Sequence, residues 1–307
     1  MRRICFAAGR PAEVVEEPPP LPGPGQLLLR VEAAGVGVAL VRLLAAAGAR
    51  GEPVRPGGEV VGTVVGRGAD VSGFEVGDRV GGVVFADAFA DLVVADPRLV
   101  GRVPAEVDAA TALALVRGGL IALSTLRAGH FAPGESVLVT AAASGTGHLA
   151  VQLARALGAA RVVAAVGAAD KSDFVRRCGA DEVVTYAEPS WGEPVDVLLD
   201  GVGGELVRRG VAALAPFGRL VAFSAGGGGV DVGALLDGAR SVVGFTIGQL
   251  HRSRQDVVER HRAELWDLLA AGRLEPRHTD FPLDRIGEAV ELVRARANRG
   301  RVVLRTG

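Results

Sequence analysis

The sequence predicts an α/β protein in two parts: a β-rich first part, then a doubly wound parallel sheet of six strands. Up to about residue 100, short alternating segments are punctuated by Pro and Gly clusters, which is the pattern of a β-rich unit. From residue 134 onward, short apolar runs alternate with stretches of helical period, which is the pattern of a parallel sheet. At 136–158 the two signals meet. Val137-Leu138-Val139 reads as a buried strand, a glycine turn follows, and Leu149, Leu153, Ala156 and Leu157 then recur at helical spacing. A chain of 307 residues is long enough to bury a core in each part.

In order, strands are expected at 26–31, 59–65 and 81–85, separated by the breakers at 18–24, 53–58 and 66–68. Residues 38–47 read as a short helix. Residues 105–126 read as a longer one, capped by Asp108 and broken at Gly118-Gly119. Strands of the second part are expected at 137–140, 161–166, 182–185, 195–199, 218–223 and 241–245, with an amphipathic helix at 257–271. A helix at 284–298 and a strand at 300–304 end the chain and can return to the first part. The expected division is therefore 1–115 with 275–307, and 116–274. There is no internal repeat, and 226–229 is the only low-complexity patch.

Hydrophobic residues make up 49% of the chain, charged residues 22%, and the net charge is -1. That balance gives no electrostatic case for nucleic acid or an anionic membrane. Two cysteines are too few for a disulfide framework or a four-thiolate zinc lobe. The low cysteine count points to a reducing cytoplasm; the N-terminus lacks the long apolar core of a signal peptide, and no uninterrupted apolar run approaches a membrane span. The basic residues are almost all Arg: Lys171 is the only lysine and Tyr186 the only tyrosine.

Gly145-Thr146-Gly147-His148-Leu149-Ala150 has the G-x-G-x-x-A order of a dinucleotide fingerprint. It reads either as a nucleotide cradle or as a structural turn, and the flanking strand and helix favour the cradle. In that reading Gly145 permits the sharp turn, Gly147 admits a pyrophosphate and Ala150 lets the helix sit close. Ser144, Gly145, Thr146 and Gly147 would then bind the cofactor. The next strand ends Val166-Gly167 without the acidic residue that binds ribose hydroxyls in an NAD site. Asp170 is expected to cap the helix beginning at Lys171. Lys171 stands where a 2′-phosphate would lie and Tyr186 follows the third strand, which points to NADPH; a solvated lysine and a half-buried tyrosine are the plainer account. His148 is expected to point to solvent, and His130, His251, His261 and His278 show no paired spacing.

The chain resembles the zinc-free quinone oxidoreductase branch of the medium-chain dehydrogenase/reductase superfamily, the zeta-crystallin-like proteins. The likeness runs through Ala33-Ala-Gly-Val36, Pro56-Gly-Gly-Glu59-Val-Val-Gly62, Gly77-Asp-Arg-Val80, Pro133-Gly134-Glu135, Gln152-Leu-Ala154, Gly179-Ala-Asp181, Asp200-Gly-Val-Gly-Gly204 and Gly218-Arg-Leu-Val221. It implies a GroES-like domain and a Rossmann domain, with the cofactor in the cleft between them. Lys171 and Tyr186 fall on family positions that contact the 2′-phosphate, and Phe223 and Ser224 on positions that pass the nicotinamide ribose. It also implies a homodimer in which the last sheet strand, Ser241-Val-Val-Gly-Phe-Thr-Ile247, pairs with its twin. Zinc-bearing relatives would place a cysteine near Gly37 and a histidine at Gly58, so no metal is expected.

Zinc-free relatives usually carry Asn at the Gly37 position and Asp at Leu40, and often Thr at Ile121 with Tyr near Leu123. All four polar groups are missing here. Nor is there a Tyr-x-x-x-Lys pair to donate a proton, so the proton would come from water or the substrate itself, which suits quinone reduction better than alcohol oxidation. The expected activity is hydride transfer from NADPH to a quinone or other conjugated carbonyl, with Leu40, Phe85, Ile121 and Phe245 as candidate pocket walls. Two alternatives stand beside it: an enoyl reductase of a thioester or biosynthetic enone, and a redox-inactive NADPH-binding interaction or sensor protein.

Overall fold

The computed structural model describes residues 1–6, 12–50, 53–223 and 226–306. The chain divides into two compact units, Met1–Gly118 with Arg277–Gly307, and Gly119–Pro276.

The first unit begins with a hairpin-like pair, β1 (Arg2–Cys5) and β2 (Glu13–Glu16). Then come β3 (Leu27–Val36), α1 (Val38–Arg50), β4 (Gly58–Arg67), β5 (Arg79–Val84), β6 (Leu92–Ala95) and β7 (Val100–Arg102). In β3, Leu27, Leu29 and Val31 alternate inward, while the Arg30 side is exposed, as one face on a core requires. The expected cap holds: Asp108 Oδ2 accepts from the N–H groups of Ala110 and Thr111 and starts α2 (Ala109–Leu113). The expected glycine break is a π-helical turn, Ala114–Gly119, before α3 (Leu120–Ala128). The run Ala109–Ala128 is the one helix among the described residues long and apolar enough to cross a membrane. It is 89% buried in the fold, as a core helix is.

The second unit carries β8 (Ser136–Val139), α4 (Gly147–Ala156), β9 (Arg161–Val166), α5 (Ser172–Arg177), β10 (Glu182–Thr185) and β11 (Val195–Asp200). It continues with α6 (Glu205–Ala212), β12 (Leu214–Ala222), α7 (Val232–Leu236), β13 (Ser241–Gly244), α8 (Ile247–Ser253) and α9 (Gln255–Ala270). The six strands form one parallel sheet in the order β10-β9-β8-β11-β12-β13. The apolar runs of β8, β9 and β11 are buried, because a central parallel strand has helices over both faces. Leu138, Val163, Leu198, Leu214 and Leu220 form the core on one side of this sheet.

The chain then returns to the first unit as β14 (His278–Pro282), α10 (Ile286–Arg294) and β15 (Arg301–Arg305). β15 pairs antiparallel with β3, giving the order β14-β15-β3-β4-β5-β7 with β6 also on β3. The returning strand at 300–304 was legible; β14, short and largely exposed, was not.

Candidate functional site

In the second unit the strand order reverses between β8 and β11, which makes the carboxyl ends of these strands the natural ligand position. The groups gathered there come from four strand ends. After β8 the chain turns at Ala141, whose φ of 49° lies in the left-handed region. Gly145 is absent from the positive-φ glycines, so the sharp turn is made at Ala141 and not, as expected, at Gly145. Gly147 has a packing role beside the expected one. A Cβ on it would lie 2.1 Å from the Ala141 carbonyl oxygen, so its missing side chain lets the start of α4 pack on its own loop.

The loop is held from within. Ser144 Oγ accepts from Gly147 N–H, and the Ser144 carbonyl accepts from His148 N–H. The N–H groups of Gly145 and Thr146, both half-buried, find no acceptor among the described residues. They stand at the N-terminus of α4, where a helix offers partial positive charge to an anion.

His148 does not point to solvent. It is fully buried, its Nδ1 lies 2.9 Å from the Ser144 carbonyl oxygen, and its ring packs on Phe174. It holds the loop to α5 and has no exposed face to offer a ligand.

Tyr186 directly follows β10. Its backbone N–H bonds the Val166 carbonyl at the end of β9, and its phenol oxygen accepts from Ala141 N–H at 2.7 Å. The ring lies over Gly167, where a Cβ would meet it at 3.6 Å. One side chain therefore ties together the ends of β8, β9 and β10. Gly167 is exposed, and no carboxylate ends β9. Lys171 closes the 3₁₀ turn Ala169–Lys171 and is partly exposed. Asp170 does not cap the helix as expected. It lies inside that turn, and neither the turn nor α5, which starts at Ser172, has a side-chain cap.

In the sequence Asp200 is one position of a motif; its place in the fold gives it a definite task. Asp200 is buried at the end of β11. Its Oδ1 accepts from Thr140 Oγ1 at 2.9 Å and from Val202 N–H, and its Oδ2 accepts from Gly203 N–H. Thr140 Oγ1 in turn accepts from Gly201 N–H. A buried carboxylate with this many donors is fully satisfied and rigid, so the ends of β8 and β11 are locked at the crevice. Phe223 covers this loop: a Cβ on Gly201 would lie 2.9 Å from its ring. Ser224 lies outside the described residues.

The four candidate pocket walls divide between the units. In the first, Leu40 is a core residue and Phe85 is 81% exposed. In the second, Ile121 is buried in α3, and Phe245 lines a cavity of about 810 Å³ with Ser124, Leu250 and His261. Ser124 Oγ and His261 Nδ1 are 2.8 Å apart, and burial holds the His261 imidazole below its ordinary pKa. Among the described residues, no group of three His, Cys, Asp or Glu side chains is placed to hold a metal ion.

Residues 23–104 match the family model described as alcohol dehydrogenase GroES-like domain, and residues 145–263 the model described as zinc-binding dehydrogenase. Quinone oxidoreductase-like protein 2 of Mus musculus is 31% identical over 320 residues, covering 98% of this chain and 91% of the relative. The solved Escherichia coli quinone oxidoreductase complexed with NADPH superposes with a TM-score of 0.89 at 26% identity, over 100% of both chains. The Thermus thermophilus quinone oxidoreductase, solved free and with NADPH, gives 0.82 at 30% identity, again over 100% of both.

Proposed function

The chain belongs to the quinone oxidoreductase branch of the medium-chain dehydrogenase/reductase family, and from that premise we propose that it is an NADPH-dependent reductase of quinones or other conjugated carbonyls. One observation carries the cofactor reading: β9 ends without a carboxylate, and the chain's only lysine closes the turn that follows. A carboxylate there would accept from ribose hydroxyls and repel a 2′-phosphate; a lysine attracts that phosphate. The NADPH complexes of the two solved relatives support the same assignment.

The residues fit that cofactor in kind. The N–H groups of Gly145 and Thr146 are donors for its pyrophosphate, with Ser144 and Gly147 shaping the loop. Lys171 supplies charge for the 2′-phosphate. Tyr186 and the Thr140–Asp200 lock hold the strand ends still, so little ordering is needed on binding. Gly167 and Phe223, at the ends of β9 and β12, complete the proposed cofactor contacts. Bound NADPH would supply a hydride, and a quinone taking it up with one proton from water would become a hydroquinone. Gly37 and Gly58, at positions where zinc-bearing relatives have ligands, support chemistry without zinc.

Two further features belong to the proposal. β13 is an uncharged edge strand with half-buried Val242 and Val243, and α9 packs on α3 and α8; a homodimer paired along β13 would satisfy that edge. Sedimentation as a monomer at micromolar concentration would remove the dimer. A cytoplasmic location is proposed from the composition, and fractionation of the native host checks it. The central test is oxidation of NADPH, followed at 340 nm, across quinones and conjugated enones. Turnover with quinones and a preference for NADPH over NADH are expected. No turnover across the panel, or preference for NADH, sinks the reading.

A further inference from the structure

In the first unit, three charged side chains meet at the ends of β3, β4 and β15, and their charges do not balance. Glu59 is buried, and it spends both carboxylate oxygens on guanidinium groups. Oε2 accepts from Arg301 Nη2 at 2.9 Å, and Oε1 accepts from Arg117 Nη1 at 3.0 Å. Burial pushes the Glu59 carboxyl up, but the charges of Arg301 and Arg117 outweigh it and keep it below the usual range. The group is therefore one anion between two cations.

The two arginines are held differently. Arg301 is 11% exposed, and its Nη1 also donates to the Val36 carbonyl. It lies in a slot that glycines leave open: a Cβ on Gly35 would be 1.9 Å from Nη2, and one on Gly37 3.2 Å from Nη1. Arg301 alone neutralises Glu59 and is fixed in place, so Arg117 is not required as its counter-ion. Arg117 is 38% exposed, and its one hydrogen bond among the described residues is the one to Glu59. Most of its five-donor fork remains available.

Local backbone geometry sets Arg117 in this position. It sits in the π-helical turn Ala114–Gly119, an irregularity that recurs at functional sites, and Gly118 and Gly119 follow it without side chains. An apolar group lies at the same end of the sheet. Val84 pairs with Gly58, so Phe85, 81% exposed, comes immediately beyond the strand end that carries Glu59. A surplus guanidinium with an exposed ring at the same sheet end suits a flat, conjugated molecule bearing negative charge.

We propose that Arg117 is a specificity-determining residue that binds an anionic group, a carboxylate, sulfonate or phosphate, on the acceptor. This rests on the reductase reading and names the acceptor class within it. The test compares 1,4-naphthoquinone with 1,4-naphthoquinone-2-sulfonate in the wild type, Arg117→Gln and Arg117→Lys, each checked for native far-UV circular dichroism. In Arg117→Gln the ratio of kcat/KM for the sulfonate to that for the neutral quinone should fall about tenfold or more, chiefly through KM. Arg117→Lys should recover part of it, and added salt should weaken the wild-type preference. An unchanged ratio in Arg117→Gln overturns the proposal. If neither quinone oxidises NADPH, the reductase reading fails by itself. Calorimetry with 2-naphthalenesulfonate then decides this one: binding lost in Arg117→Gln supports it, and binding that is absent or independent of Arg117 overturns it.

Discussion

Gly147→Ala isolates what the glycine loop does before any ligand arrives. An alanine Cβ would sit 2.1 Å from the Ala141 carbonyl oxygen and 2.8 Å from Ala141 C and Ala142 Cα. All three are backbone atoms, so no side chain can rotate away. Relief requires the helix start or the loop to move by about 1 Å, and overpacking of this kind costs about 1–3 kcal/mol. The gain in helix propensity, up to about 1 kcal/mol for Gly→Ala, offsets only part of that. Gly287→Ala is the matched control. Gly287 lies in α10 with nothing within 4 Å of its added Cβ, so the same change there should stabilise by about 0.5–1 kcal/mol. Trp191 and Trp266 both fall in the unit Gly119–Pro276, so tryptophan fluorescence reports the unit that Gly147 belongs to. The net loss is then about 1–2 kcal/mol, and for a domain of this size each kcal/mol moves Tm by about 2–4 °C, so the Gly147→Ala transition should fall by about 2–8 °C. Gly287→Ala, followed by circular dichroism, should not fall. A Gly147→Ala protein as stable as the wild type would refute the packing role and leave this glycine only its expected role of ligand clearance.

Lys171→Ala should weaken NADPH about 10-fold or more and NADH far less, as loss of a charge-assisted contact requires, and equal losses by equilibrium titration would defeat the assignment. Thr140→Val removes a donor to Asp200 and an acceptor for Gly201 N–H; a loss of about 1–3 kcal/mol is expected by urea unfolding, and a neutral result would mean the lock is dispensable. Burial raises the Asp108 carboxyl, but Arg305 and the Thr111 and Ala110 N–H groups bring it down to about 2, so its stabilisation is full above about pH 4 and is lost as pH falls towards 2. The group is half exposed, so the effect is small, and Asp108→Asn should flatten that limb of the acid-unfolding curve. His261 works in the opposite part of the range: its folded pKa is depressed by burial, so the unfolded chain takes up the proton first and stability should rise with pH as it passes the ordinary histidine value. His261→Gln should remove that slope; an unchanged slope would assign it elsewhere.

The strands of the parallel sheet were legible because burial on both faces forces a continuous apolar run, and Val137–Val139 or Arg161–Val166 can hardly be read otherwise. The cap at Asp108 was legible because its chemistry is local. What the sequence hid depends on contacts distant in the chain. His148 has the same helical position whether it faces solvent or core; only the placement of Phe174 and the Ser144 carbonyl decides it. Asp170 had the right residue type for a cap, but a 3₁₀ turn came first and took the position. A G-x-G-x-x-A pattern states that side chains are missing, not which neighbour requires it, and here the neighbour is Ala141 of the same loop. The pairing of Arg117 with Glu59 spans 58 residues, and nothing in either segment announces it.

The missing polar groups at Gly37, Leu40 and Ile121 also depend on distant neighbours. If they were replaced by nothing, the chain would retain a cofactor crevice with no means of selecting an acceptor. The first unit does not leave that position bare. Gly37 makes room for Arg301 3.2 Å from its absent Cβ, and Arg301 holds Glu59, which holds Arg117. A neutral amide such as Asn at residue 37 would occupy the space that the guanidinium uses, so Gly37 and Arg301 act as one choice. Gly37→Asn should therefore disturb Arg301 and leave Arg117 as the sole counter-ion of Glu59, its charge spent on that carboxylate. The expected outcome is a loss of the sulfonate preference similar to that of Arg117→Gln, measured with the same pair of naphthoquinones. A Gly37→Asn enzyme that keeps the preference would show that Arg117 selects without support from Arg301.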